Sequence, residues 1–349
     1  MGGTKGYRSY RGRGSKGKAA LAAVLVLVIV AALGFLWVQE YIVYDADGGA
    51  HLELPWQTGE APPAQEEDPQ ENVEVIVQEP EQPDDVAAFS AAAVPLTQSA
   101  WQETWMGATV MSAPAYNAAA VTLKDSTGHI YFAATDAAAG TVSTVEDTAA
   151  ALAEVTESSF HSIARMSCFL DPIAAKADVE NMGLKNTGGY IYYDGNDLNW
   201  LDPSKPAARQ YLCGLAQEIA ALGFDEILLT DVGYPTTGPL DKIDYNGADR
   251  AESIRAFLEE LKTALADYGV AISIQLPAEV LTSGADDDAR LVLADIAPLV
   301  DRIYAVTTAD QIPALTAAVT AAHDGIEFVA ELTAYGPDVT GSCLILPQS

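Results

Sequence analysis

The chain has 349 residues and a formal net charge of −31. The charge is unevenly placed: residues 1–18 hold six of the 18 lysines and arginines and no acid, leaving 12 bases against 49 acids elsewhere. That excess argues against binding a phosphate backbone, so nucleic acid is not an expected partner. The three cysteines, Cys168, Cys213 and Cys343, are odd in number and far apart, which argues against a disulfide framework; each sits in an apolar stretch and reads as a buried thiol.

Taken in order, residues 1–18 read as a basic cytoplasmic tail. Residues 19–38, AALAAVLVLVIVAALGFLWV, are uncharged and mostly apolar, long enough to span a bilayer as a helix. The basic flank keeps the N-terminus inside, so the rest is expected outside the membrane. A cleaved signal peptide is the alternative, but the exit Gly34-Phe-Leu-Trp-Val-Gln-Glu offers no small-x-small site. Residues 39–56 read as a membrane-proximal hairpin turning at Asp47-Gly48-Gly49. Residues 57–96 read as an acidic linker: between Glu60 and Asp85 lie ten acids, five prolines and no base, a composition that self-repels and extends.

Residues 97–349 are globular in composition. Apolar strand candidates recur at Ala118–Leu123, His161–Phe169, Tyr190–Tyr193, Glu226–Thr230, Val270–Leu276, Arg302–Val306, Glu327–Leu332 and Cys343–Leu346, with Tyr190–Tyr193 alternatively a loop hairpin. Helical periodicity fills most gaps, at Val145–Glu157, Pro172–Glu180, Ala207–Leu222, Ala248–Tyr268, Asp287–Leu299 and Gln311–Ala322. Alternation of this kind predicts a parallel sheet with helical crossovers, and eight candidates point to an α/β fold of the (βα)8 TIM-barrel type. No dinucleotide fingerprint or phosphate loop follows the first strand candidate, and no cofactor is expected. The four histidines show no ligand spacing, so no metal site is expected either.

Three stretches together carry a resemblance. They are Val121-Thr-Leu-Lys-Asp-Ser-Thr-Gly-His-Ile-Tyr, Ser162-Ile-Ala-Arg-Met-Ser-Cys-Phe-Leu-Asp-Pro, and the run from Trp200-Leu-Asp-Pro through Gly223-Phe-Asp-Glu-Ile to Tyr234-Pro235. In order and spacing they resemble the bacterial family known as a putative glycosyl hydrolase domain, over about residues 100–349. The resemblance implies a TIM barrel, often envelope-anchored, with a carbohydrate-facing cleft. The family's fourth strand closes on Phe-Asp-Tyr and, one residue later, Arg-Phe-Pro. In register, the Asp position falls on Thr230, Asp231 comes one place later, and Gly233 holds the Arg position. Because strand side chains alternate faces, only a bulge or the strand's end could bring Asp231 back into the barrel mouth. Gln275 stands where the fifth strand's acid is expected, and Asp301-Arg-Ile-Tyr-Ala-Val-Thr lacks the family's Met-x-Tyr-Pro.

Glycoside hydrolysis needs two carboxyl groups flanking one bond. Candidates at C-terminal strand ends are Asp231 as nucleophile or base, Glu331 as the acid with its pKa raised by apolar surroundings, and Asp171; Glu279 lies a little beyond its strand. Each could instead be a turn cap or a solvated carboxylate. Arg165, a lone cation in an apolar strand, should pair with Asp171 or Asp231 or meet a ligand. Substrate-binding candidates are Arg165, Trp200, Tyr234, Lys124 and Gln275, with Tyr192 and Tyr193 as further loop aromatics; Lys124 and Asp125 also read as a plain ion pair or turn. The expectation is a single-pass membrane protein whose extracytoplasmic barrel acts on or binds cell-envelope or environmental polysaccharide. The alternative is a catalytically degenerate barrel that binds glycan or a surface partner.

Overall fold

The computed structural model describes residues 42–44, 50–52, 88–94, 116–135, 148–336 and 339–346. The chain divides into two units, Met1–Val77 and Gln78–Ser349. In the first, Ile42–Tyr44 and Ala50–Leu52 pair antiparallel, Ile42 opposite Leu52; the expected turn at Asp47-Gly48-Gly49 lies outside the described residues. The basic tail, the 19–38 segment and the linker up to residue 87 lie outside the described residues. Among the described residues no helix is long and apolar enough to cross a membrane.

The second unit is a closed barrel of eight parallel strands. They are β1 (Ser90–Val94), β2 (Ala118–Lys124), β3 (His161–Ser167), β4 (Glu226–Thr230), β5 (Ala271–Gln275), β6 (Arg302–Val306), β7 (Glu327–Leu332) and β8 (Cys343–Ile345). Around them run α1 (Thr148–Thr156), α2 (Pro172–Ala177), α3 (Pro206–Ala221), α4 (Arg250–Leu265), α5 (Ala278–Ser283), α6 (Leu293–Ile296) and α7 (Ile312–Ala322).

Seven of the expected strands are present, and the eighth is a correction. β1, Ser-Ala-Ala-Ala-Val, comes from the stretch read as linker, pairing with β2 and β8 to close the ring. Its short side chains carry almost no strand signal, yet small residues are what the interior needs there. Ala91, Ala118 and Ala120 share the inner cluster with the large Tyr304 and Phe89, so small and large residues fill one section together. Tyr190–Tyr193 lies in the loop between α2 and α3, with Tyr190 76% exposed.

Period-two alternation sorts the two faces. On β4, Leu228 joins the inner cluster, whereas Ile227 and Leu229 pack with the helix layer. α3 shows why a helix forms there: Pro206 occupies its first turn, Tyr211, Leu212, Leu215 and Ile219 form the buried stripe, and Gly223 at φ +89° ends it. Each fully buried leucine or isoleucine on that stripe contributes roughly 1.5–3 kcal/mol. The expected helix at Asp287–Leu299 starts later, because Leu291–Val292 pairs with Ala285–Asp286; Leu293–Ile296 is α-helical and Ala297–Leu299 continues as a 3-10 turn. All three cysteines are free and buried, and burial pushes the Cys213 thiol up to about 12.

At the N-terminal end of the barrel, the inward positions carry charge. Glu226 is fully buried and accepts from Tyr304 Oη at 2.6 Å and Arg302 Nη1 at 3.0 Å, with His161 Nε2 at 2.7 Å. Arg302 Nε also donates to Glu327 at 2.8 Å, and Ser342 Oγ donates to the same carboxylate. Every charge in this plug has a partner, as burial requires.

Candidate active site

The C-terminal end of the barrel opens into a cleft of about 820 Å³. Its lining includes Trp200 from the loop before α3, Asp231 and Tyr234 after β4, Gln275 at the end of β5, Glu279 on α5, and Val306 at the end of β6. In barrels of this type that face carries the chemistry, because loops from many strands converge there.

Asp231 follows β4 directly and has φ +53°, a left-handed conformation that aspartate tolerates better than most residues. This twist resolves the one-residue displacement seen in the sequence. Instead of following Leu229 into the helix layer, the carboxylate turns to the mouth, where Oδ2 accepts from Ser167 Oγ at 2.7 Å and Thr230 Oγ1 at 3.1 Å. Ser167 Oγ also lies 3.1 Å from the Leu170 carbonyl, but the shorter contact goes to the charged acceptor. Oδ1 takes no hydrogen bond from any described residue. The strand's end therefore restores an acid to the mouth.

Glu331 sits on β7 with no exposed surface. Gln275 Nε2 donates to its Oε2, and Arg165 Nη2 lies 3.7 Å from Oε1. Burial raises its pKa above the ordinary value, outweighing the opposing pull of Arg165 and Gln275. Arg165 thus finds an acid, Glu331, rather than Asp171 or Asp231. Its Nε is buried without a hydrogen-bond partner among the described residues.

The raised pKa of Glu331 has a consequence for stability. A group that ionises at higher pH in the fold than in the unfolded chain contributes stability that is fully present below the unfolded pKa and lost as pH rises through the folded pKa. Glu331→Gln mimics the neutral form. Its melting temperature relative to wild type should therefore rise on going from about pH 4, near the unfolded glutamate pKa, to pH 7. A difference that does not change with pH would show that ionising Glu331 costs the fold nothing.

Two candidates are structural instead. Asp171 is fully buried and caps α2, accepting from Ile173 N at 3.2 Å and Ala174 N at 2.8 Å. Its other oxygen meets Lys124 Nζ at 3.0 Å and Tyr211 Oη at 3.3 Å. Lys124, equally buried, also donates to the Ser167 carbonyl at 2.7 Å. Both are buried outside the cleft lining and committed to these partners, so Asp171 is not placed as a catalytic acid nor Lys124 as a sugar-binding cation; Glu331 and Arg165 also lie outside that lining, with Gln275 the cleft residue that reaches Glu331. Their pairing under β3 instead braces the strand that carries Arg165 and Ser167.

The aromatic candidates divide. Trp200 lines the cleft, its Nε1 held by Asp194 Oδ2 at 2.9 Å. Tyr234 lines it too, though only 2% exposed, packed edge-on against Tyr245 with the Arg250 guanidinium 5.9 Å from its ring. Tyr192 is buried and donates to the Thr237 carbonyl at 3.2 Å, while Tyr193 is exposed with Lys176 Nζ 5.7 Å from its ring centre. Neither lines the cleft. The sequence reading missed the wall formed after β5 by Leu276, Pro277, Asp286, Ala289 and Leu291. The Asp286-Asp-Asp run was its only signal.

The parts so far define a (βα)8 barrel with an acid-bearing cleft at its C-terminal mouth. Residues 96–307, more than half of the chain, match the family described as "Putative glycosyl hydrolase domain", and the chain belongs to that family. Asp231 lies within the matched stretch and Glu331 beyond it. Among solved structures, a hypothetical protein from Ruminiclostridium thermocellum ATCC 27405 is 27% identical, over 45% of this chain and 82% of that chain, with a TM-score of 0.41. The PgaB (BpsB) glycoside hydrolase domain from Bordetella bronchiseptica is 13% identical, over 70% and 84%, with a TM-score of 0.51; this likeness shows the fold. A GH20 exo beta-N-acetylglucosaminidase from Vibrio harveyi is 11% identical over 70% of this chain but 41% of its own, with a TM-score of 0.46. No curated protein matches the chain.

Proposed function

We propose that the cleft binds a polysaccharide and that Asp231 and Glu331 hydrolyse its glycosidic bonds. One observation carries this reading. The Asp231 carboxylate faces the mouth with one oxygen held by two hydroxyls and the other accepting from no described residue. An acid so oriented can attack the anomeric carbon or take a proton from water. Burial shifts Glu331 toward its protonated form, the direction that suits the acid serving the leaving oxygen. Gln275 both lines the cleft and covers Glu331, so a bound sugar must draw that amide aside to meet the acid.

Release of reducing ends from a panel of polysaccharides tests the proposal. Turnover that falls at least about a hundredfold in Glu331→Gln is the expected outcome. Activity untouched by that change would remove Glu331 from the chemistry. A second reading, glycan binding without turnover, is favoured by the complete burial of Glu331 behind Gln275 and its contact with Arg165; it expects saturable binding and no reducing ends.

The reading extends to location. We propose that residues 19–38 anchor the chain in the membrane with the barrel outside, supported by their apolar composition and the basic flank. Recovery of the full-length chain in the soluble fraction after cell lysis would contradict it.

A further inference from the structure

We infer that the glycan taken by this cleft carries free amino groups: a polymer of non-acylated amino sugars, cationic at neutral pH. The inference rests on the hydrolase reading above and names its substrate class. The cleft is defined by its volume and its place at the barrel mouth, whereas its charge decides what enters. Among the described residues three carboxylates line it, Asp231, Glu279 and Asp286, and no lysine, arginine or histidine does.

The cations near the cleft are engaged elsewhere. Arg165 faces Glu331, and Arg250 lies over the Tyr245 ring at 4.2 Å. Arg290 points to Asp287, with Nη1 3.5 Å from its Oδ1. The acids, by contrast, keep open acceptors. The Glu279 side chain takes no hydrogen bond from any described residue. Asp286 uses Oδ1 for the amides of Asp288 and Ala289, at 2.8 and 2.9 Å, and its Oδ2 accepts from no described residue.

Asp231 is accounted for by the chemistry, but Glu279 and Asp286 are not. They stand on the wall built after β5, and in a chain of net charge −31 no described basic side chain on that wall neutralises them. A uronate or phosphate-bearing polymer would meet like charge along that wall, and a neutral sugar would draw no attraction from it. An ammonium group supplies the opposite charge together with hydrogen-bond donors.

The test uses the full-length chain and a panel of glucosamine and galactosamine polymers. Each backbone is supplied both as the free amine and N-acetylated, beside a neutral glucan and a polyuronate. On whichever backbone is cleaved, kcat/KM for the free amine should exceed that for the acetylated form by at least about tenfold. The advantage should shrink as salt is raised from about 0.01 to 1 M, where screening shortens from about 30 to 3 Å. Replacing both wall acids, Glu279→Gln with Asp286→Asn, should cut the preference about tenfold while the melting temperature stays. Equal or better cleavage of the acetylated, neutral or uronate polymers would overturn the substrate class and leave hydrolysis standing. Failure to cleave any member would bring down the hydrolase reading and this inference with it.

Discussion

Asp231→Asn is expected to lower kcat/KM for the cleaved glycan by about a thousandfold while binding changes only a few-fold. The amide keeps the shape of the carboxylate and can still accept from Ser167 and Thr230, so the cleft should keep its form. It cannot act as base or nucleophile, and positioned groups of that kind are worth about 10²–10⁴ in rate. A companion variant separates chemistry from folding. Asp231 holds φ +53°, which costs a non-glycine residue of order 1–3 kcal/mol. Asp231→Gly adopts that backbone without strain and should be as inactive as Asp231→Asn without losing melting temperature. Retention of more than a tenth of wild-type activity in both variants would exclude Asp231 from the reaction.

The second large effect lies at the opposite end of the barrel. Glu226→Ala is expected to cost about 3–5 kcal/mol in urea unfolding, because it strands Arg302 Nη1, His161 and Tyr304 Oη around an emptied site. Should that variant fail to fold, Tyr304→Phe removes one hydrogen bond to the carboxylate and is expected to cost about 1.5–3 kcal/mol. Burial alone would push the Glu226 pKa up, but the hydrogen bond from His161 and the charge of Arg302 hold it below the ordinary value. A depressed carboxylate contributes stability that is present above the unfolded pKa and lost as pH falls through the folded one. The gap between wild type and Glu226→Gln should therefore close below about pH 4. Since the plug lies away from the mouth, cleavage per folded molecule should be unchanged in Tyr304→Phe.

Seven barrel strands were legible because their inner and outer faces carry enough valine, isoleucine and leucine to show the period. β1 was not, since Ser90–Val94 contributes mostly alanine and its role depends on Tyr304 filling the space across the barrel. Asp231 could be flagged as a terminal acid, but its direction depends on one backbone dihedral that alternation does not encode. Arg165 showed that an acid must be near, yet only closure of the ring decides that it is Glu331, four strands on in sequence. Asp171 illustrates the opposite case. Asp171-Pro172 at the start of a helical pattern is a helix-capping signature, and that local explanation was sufficient. The β5 wall draws its residues from a short helix and a two-residue strand pair between Leu276 and Leu291, elements too short to show a period, and the helical pattern from Asp287 onward runs across the second of those strands.

The central claim is that one sugar–sugar bond can lie between Asp231 and Glu331. A crystal structure of Asp231→Asn with a bound oligosaccharide of the cleaved polymer tests it. The account predicts a glycosidic oxygen about 3 Å from a Glu331 carboxyl oxygen, Gln275 drawn aside, and the adjoining anomeric carbon facing the amide that replaces the Asp231 carboxylate. A sugar chain seated in the cleft with Gln275 still closed over Glu331 would contradict it, and would leave a barrel that holds glycan without cutting it.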